Sequence, residues 1–277
     1  PMTGLPPPQS LGRFPSMSTN PVSAALRSGL FTRTVGKRIL YFQELSSTMD
    51  EAARQAEDGA EEGTVVVAEI QHAGRGRFGR TWVSTTVLQY LSVVFRPTPS
   101  LLAQLNVVAG VAVVRAIRKT TGLSPRIKWP NDVLVGGKKV AGILVETVAE
   151  GSEVCYSVVG IGINITLGDA QIAALNGQAT GLEQAAGRTV ARAGVLRQLL
   201  MDLDSLYLQS AAGKSPQPEW QALLETLGQR IQVTWRDETW VGRAEGVDEA
   251  GNLLLRLDDG NLVTMTAGDV SLNGPGA

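Results

Sequence analysis

Residues 126–147 read Arg-Ile-Lys-Trp-Pro-Asn-Asp-Val-Leu-Val-Gly-Gly-Lys-Lys-Val-Ala-Gly-Ile-Leu-Val-Glu-Thr. Two apolar runs, 132–135 and 140–147, flank the pair Gly136-Gly137. A glycine pair between two such runs marks a tight β-hairpin, because the favoured turn needs positive φ at both central residues. Upstream, residues 126–129 read as another strand, closed by Pro130, which cannot donate to a ladder. Downstream, residues 154–165 form a further β-branched run. Strands in this succession, set among helical segments, predict a mixed β-sheet with flanking helices, α+β in class.

Residues 39–44 read as a short strand. Ser46-Ser47-Thr48-Met49-Asp50 then opens a helix, with Ser47 and Asp50 at capping-box spacing. Strands are expected at 64–70 and 89–95. Over 100–120 the apolar residues recur at helical spacing, with Leu101, Leu105, Val108, Ala112 and Ala116 facing inward and Arg115, Arg118 and Lys119 near the end. Helices are also expected over 195–210 and 218–227. From Gly228 the pattern changes to short alternating strands: Ile231, Val233 and Trp235 share one face, Leu253, Leu255 and Leu257 another, and Asp259-Gly260 turns into 262–265. This predicts a small C-terminal β-barrel. Residues 1–35, rich in Pro, Ser, Gly and Thr, read as a flexible tail with at most a turn of helix over 26–32. The expected division is therefore a tail (1–35), a main domain (36–227) and a barrel domain (228–277).

Composition narrows the function classes. The chain has 277 residues, of which 43% are apolar, enough for a substantial core. Its 25 basic and 26 acidic residues nearly cancel, which argues against a general nucleic-acid or membrane-surface binder. A single cysteine, Cys155, excludes an internal disulfide framework and a cysteine-built zinc site, and a single histidine, His72, excludes multi-histidine metal sites. No apolar run approaches the roughly 20 residues of a spanning helix. A cytoplasmic protein is the expectation.

Four segments carry chemistry. Gln71-His72-Ala73-Gly74-Arg75-Gly76-Arg77-Phe78-Gly79-Arg80-Thr81-Trp82 interleaves glycines with arginines. Glycine allows close backbone approach, and arginine presents a fixed fork of donors to carboxylate and phosphate. The pattern fits a mobile anion clamp. A solvated basic loop is the plain alternative. Gly74, Gly76 and Gly79 also match a dinucleotide fingerprint, but the helix that fingerprint requires does not follow. Gly213-Lys214-Ser215 ends like a phosphate-binding loop, yet Leu208 stands where glycine is required. In Lys128-Trp129-Pro130-Asn131-Asp132-Val133, Asn131 and Asp132 offer oxygens suited to nucleotide-borne Mg²⁺, or simply make a turn. Lys139 in Lys138-Lys139-Val140-Ala141-Gly142 places a cation where a reacting carboxylate or phosphate would need one, unless it is an ordinary hairpin lysine. Gly160-Ile161-Gly162-Ile163-Asn164 frees one strand face, either for a ligand or for a closely crossing helix.

Taken together, these segments resemble the biotin protein ligase family, over roughly residues 38–275. Ser46-Ser47-Thr48-Met49-Asp50-Glu51-Ala52 and Ala179-Thr180-Gly181-Leu182 fit the same order. The resemblance implies a catalytic domain like that of class II aminoacyl-tRNA synthetases and biotin ligases, with an SH3-like barrel. It implies ATP, Mg²⁺ and biotin as small molecules, and a biotin carboxyl carrier protein domain as partner. Ser47, Thr48, Gln71, Gly74, Gly76, Gly142 and Gly162 would surround biotin. Arg75, Arg77 and Lys139 would contact biotin and ATP and carry the catalysis. Arg80, Trp82, Asn131, Asp132 and Asn164 would attend the nucleotide, with Asp132 as the metal ligand and Trp82 against adenine. The resemblance also allows a homodimer. It implies no DNA reading, because the DNA-binding domain of bifunctional members has no counterpart here. Met49 stands where some members have asparagine. A lipoate-type ligase of the same fold and a non-enzymatic biotin-sensing regulator are the competing readings.

Overall fold

The computed structural model describes residues 28–80 and 88–271. In chain order the first half contains β1 (Ile39–Leu45), α1 (Thr48–Glu57), β2 (Val65–Gln71), β3 (Leu88–Phe95), α2 (Pro99–Leu102) and α3 (Leu105–Thr121). Then come β4 (Arg126–Lys128), β5 (Asp132–Val135), β6 (Lys138–Glu150), β7 (Glu153–Asn164), α4 (Asp169–Ala174), α5 (Leu182–Ala186), α6 (Arg192–Ala211) and α7 (Gln217–Leu223). The C-terminal strands are β8 (Arg230–Trp235), β9 (Glu238–Val247), β10 (Leu253–Leu257), β11 (Leu262–Met265) and β12 (Asp269–Ser271).

The main sheet has seven strands in the order β1-β2-β3-β7-β6-β5-β4. β1 and β2 are parallel, joined through α1, and the other pairs are antiparallel. Gly136 and Gly137 take positive φ (56° and 73°) in the β5–β6 turn, as the hairpin reading requires. The two sheet faces differ. On one, Leu91, Val93 and Phe95 of β3 and Val159, Ile161 and Ile163 of β7 pack against α3 and α6 in a single apolar core. On the other, Val66, Val94 and Val158 meet Met49, Ala52 and Ala56 of α1. Pairs in register share a face, so Ser92–Gly160 lies under the first turn of α1, and Tyr90–Gly162 and Gly142–Gly162 continue that second face beyond it.

Several expectations change. The single helix over 100–120 is two, α2 and α3, broken at Ala103-Gln104. Leu101, Leu105, Val108, Ala112 and Ala116 are nonetheless all buried. The helix expected over 218–227 stops at Leu223, because the next residues run beside β4. Leu224 bridges Ile127, Glu225 N donates to Ile127 O (2.8 Å), and Thr226 Oγ1 accepts from Trp129 N (2.9 Å). Ser47 caps α1 by accepting from Met49 N (3.2 Å), but Asp50 pairs with Arg75. The C-terminal strands form a five-stranded antiparallel sheet, order β11-β10-β9-β8-β12, in keeping with a small barrel-like domain. β9 and β12 were not expected: Glu, Gly and Arg interrupt the alternation in the first, and the second is very short. Ile231, Val233, Leu253 and Leu255 join the main core.

The tail reading fails at its C-terminal end. Val35 is fully buried, and the Asp204 carboxylate on α6 accepts from the backbone N–H groups of Arg33 (2.9 Å), Thr34 (2.7 Å) and Val35 (2.8 Å). A carboxylate from far along the chain supplies partners that local composition cannot reveal. The described part of 26–32 carries no helix, and its first two residues lie outside the described ones. Asp204→Ala should strip three N–H groups of their acceptor. At ~1–3 kcal/mol per buried unsatisfied group, with partial relaxation, a loss of ~2–4 kcal/mol is expected. For a chain of this size that lowers the melting temperature by roughly 5–15 °C, measurable by thermal unfolding. A fall below about 2 °C would mean that the segment finds other partners at no cost.

Candidate active site

The open part of the second sheet face is the floor of a cavity of about 830 Å³. Its walls come from α1, the loop after β2, the β4–β5 corner, the chain around α4 and, from the C-terminal sheet, Thr234 and residues 268–271. Of the sequence-derived candidates, Ser47, Thr48, Gln71, Arg75, Gly76, Arg77, Arg80, Asn131, Asp132, Lys139, Gly142, Gly162 and Asn164 all line it. Gly74 is buried and does not line it. Trp82 lies outside the described residues.

One end is closed and polar. Gln71 Oε1 accepts from Thr48 N (2.7 Å) and Thr48 Oγ1 (3.0 Å), and Ser92 Oγ donates to Thr48 Oγ1 (2.8 Å). These three residues and Ser47 are buried. A buried polar cluster needs every member satisfied, so this one is rigid and suits a compact polar group.

The middle is cationic. Lys139 Nζ lies 2.6 Å from Asp132 Oδ1. The Lys139 backbone is locked by Gln178 O and Thr180 N, at 2.8 and 3.0 Å. Lys128 stands beside this pair. Burial pushes its ammonium below the ordinary lysine value, against the pull of Asp132 and with help from Lys139 and Arg80.

The two loop arginines separate. Arg77 turns inward: its Nη1 donates to Asn131 Oδ1 (3.4 Å) and Gly268 O (3.2 Å), and its guanidinium lies 4.5 Å from the centre of the Phe78 ring. Burial pushes its pKa below the usual arginine value. Arg75, at the more exposed edge of the cavity, is held by Asp50 and by Glu146, the latter at 3.1 Å. The paired clamp expected of both is thus one inward cation and one anchored to carboxylates. Asn131 is engaged at both ends, since its Nδ2 donates to Ile143 O (2.7 Å), so it orients Arg77. Arg80 pairs with Asp269 of β12. Asn164 Nδ2 donates to Lys139 O and Thr180 O, both at 3.3 Å.

Among the described residues no group of three or more His, Cys, Asp or Glu is placed to hold a metal. Asp132 is a single carboxylate among Lys139, Lys128 and Arg77. A dedicated protein-held metal does not fit. A Mg²⁺ carried on a triphosphate, taking one carboxylate oxygen, does.

Comparison with known proteins gives this cavity its context. Residues 40–164 match the Biotin/lipoate A/B protein ligase family, and residues 226–273 match the Biotin protein ligase C terminal domain. The bifunctional ligase/repressor BirA of Bacillus subtilis is 38% identical over 241 residues, 85% of this chain and 74% of the relative. The chain belongs to the biotin protein ligase family. The biotin–[acetyl-CoA-carboxylase] ligase of Mycobacterium tuberculosis, 32% identical, is covered over 85% of its length by 81% of this chain. Among solved structures, the biotin protein ligase of Aquifex aeolicus in complex with biotin and ATP superposes with a TM-score of 0.71 at 29% identity, over 85% of this chain and 98% of that one. As a member of this ligase family the chain is an enzyme. Among the described residues no helix is long and apolar enough to cross a membrane.

Some lining residues of the ligase escaped the sequence reading. Lys128 lies in the segment Lys128-Trp129-Pro130-Asn131-Asp132-Val133, where the stronger local signal is the pair of oxygen-bearing residues after Pro130. Tyr90, buried and lining the cavity, read only as part of a strand. Gly268 and Asp269 carried no local signal, because their role is to meet a loop that precedes them by 191 and 189 residues.

Proposed function

We propose that this cavity activates biotin with ATP and passes it to a lysine of a carrier domain. The biotin carboxylate attacks the α-phosphate of ATP, pyrophosphate leaves, and biotinyl-AMP remains. The ε-amine of the carrier lysine then attacks the acyl carbon, and AMP leaves. The observation that carries the reading is the joining, in one cavity, of the closed polar end at Thr48 and Gln71 to the cationic middle at Arg77, Lys128 and Lys139. The first suits a ureido ring. The second suits a carboxylate meeting a triphosphate, two anions whose approach needs neutralising. Positioning and electrostatics suffice, and neither step needs a protein nucleophile. Asp132 is the residue to share a nucleotide-borne Mg²⁺, which would offset phosphate charge. The cytoplasm is the compartment that supplies these reactants.

The competing substrate is lipoate, whose long apolar chain has little use for a buried polar end. Mass spectrometry of a biotin carboxyl carrier domain incubated with the protein, ATP and biotin should show the mass of one biotin on one lysine. Lipoate should neither label a carrier nor compete. Labelling by lipoate in place of biotin would overturn the reading. Biotin binding without turnover would instead favour a sensing regulator.

A further inference from the structure

Gly160 is not a glycine for the sake of its backbone. It lies in β7, paired with Ser92 and Leu144, and its φ lies outside the left-handed region. A side chain there is excluded by Met49. A Cβ on Gly160 would fall 2.4 Å from Met49 Sδ, 3.2 Å from its Cγ and 3.6 Å from Ser92 Oγ. For this glycine the closely crossing helix explains the free strand face. Met49 follows Thr48 in the first turn of α1, is buried, and lines the cavity. Its thioether therefore lies across the gap between helix and sheet, beside the polar cluster of Thr48, Gln71 and Ser92.

We propose that Met49, seated in the recess that Gly160 leaves, sets the width of the closed end and so limits the size of the ring the bound acid can carry. The inference rests on the proposed activation of biotin in this cavity. The rest of that end is packed backbone and hydrogen-bonded side chains, which resist displacement. Methionine is unbranched and flexible, so it is the part of the wall that can move. The two residues then act in opposite directions. A methyl group at position 160 takes the place of the sulfur and displaces the Met49 side chain toward the cavity that it lines. Shortening Met49 widens the same end.

The test is calorimetric binding of biotin, and of biotin methylated on a ureido nitrogen, to the wild-type protein, Gly160→Ala, Met49→Ala and the double variant. Misfit by one methyl group in a pocket is worth ~10–200-fold, which sets the scale. Gly160→Ala should weaken biotin binding tenfold or more. Adding Met49→Ala should restore it to about the level of Met49→Ala alone, a rescue that general loss of stability would not produce. Met49→Ala should also reduce the preference for biotin over its methylated form by about tenfold or more. Biotin binding that is unchanged in Gly160→Ala, or weakened there without rescue in the double variant, overturns the inference. If Gly160→Ala fails to fold, the Met49→Ala preference decides alone, and an unchanged ratio overturns it. Wild-type protein that binds no biotin overturns the proposed function itself, whereas wild-type binding with indifferent variants overturns only the size limit.

Discussion

Lys139→Ala is expected to slow adenylate formation at least ten- to a hundredfold while leaving the fold intact. The strand that carries Lys139 is held by its backbone, through Gln178 O and Thr180 N, so removing the side chain breaks no ladder bond. What is removed is the cation 2.6 Å from Asp132, in the part of the cavity where carboxylate and phosphate would meet. A hydrogen bond to a charged group contributes ~1.5–3 kcal/mol, which in a rate is about ten- to a hundredfold. The true loss should exceed this, because Asp132 then faces the incoming anions with less compensation. Pyrophosphate release in single turnover, with circular dichroism as the control for folding, measures it. Normal release would show that Lys139 belongs to the hairpin and not to the reaction.

Arg77→Gly is expected to form biotinyl-AMP but lose it to solution. Arg77 links the loop after β2 to Asn131 and to Gly268, just before β12, and packs on the face of its neighbour Phe78. Ordering a glycine-rich loop costs ~1–2 kcal/mol per residue, and contacts such as these must offset it. Without the arginine the loop loses its ties to Asn131 and Gly268, and a bound adenylate would lose a charged contact of ~1.5–3 kcal/mol, equivalent to about ten- to a hundredfold faster escape. Free anhydride acylates any exposed amine. Mixing the variant with ATP, biotin and an unrelated lysine-rich protein should therefore label that bystander well above the wild-type level, while selectivity for the carrier falls. Normal adenylate formation with an unlabelled bystander would show that Arg77 does not retain the intermediate. Absence of adenylate would move Arg77 into the first chemical step. Arg75, held by Asp50 and Glu146 at the surface, should give a smaller leak, because exposed ion pairs contribute only ~0.2–1 kcal/mol.

The elements easiest to read were those whose cause is local. The β5–β6 hairpin follows from Gly136-Gly137 between two β-branched runs, and the buried stripe from Leu101 to Ala116 follows from spacing alone. The site segments were legible as residue types, and the cavity gathers most of them. The assignment of tasks within them was not. Arg75 and Arg77 are indistinguishable in a glycine-arginine loop. They diverge because Asp50 and Glu146 approach one, and Asn131 and Gly268 the other, from 25, 71, 54 and 191 residues away.

Composition, period and turn chemistry were enough to determine the fold class, the barrel-like C-terminal sheet and the segments that come to line the cavity, because each follows from interactions between near neighbours in the chain. Which arginine points inward, which carboxylate secures residues 33–35, why position 160 has no side chain, and that the C-terminal sheet completes the cavity wall were decided only by the tertiary structure. Each depends on a partner far along the chain whose approach is set by the packing of whole helices and sheets, and that packing reflects the shape of the entire core, which no local pattern encodes.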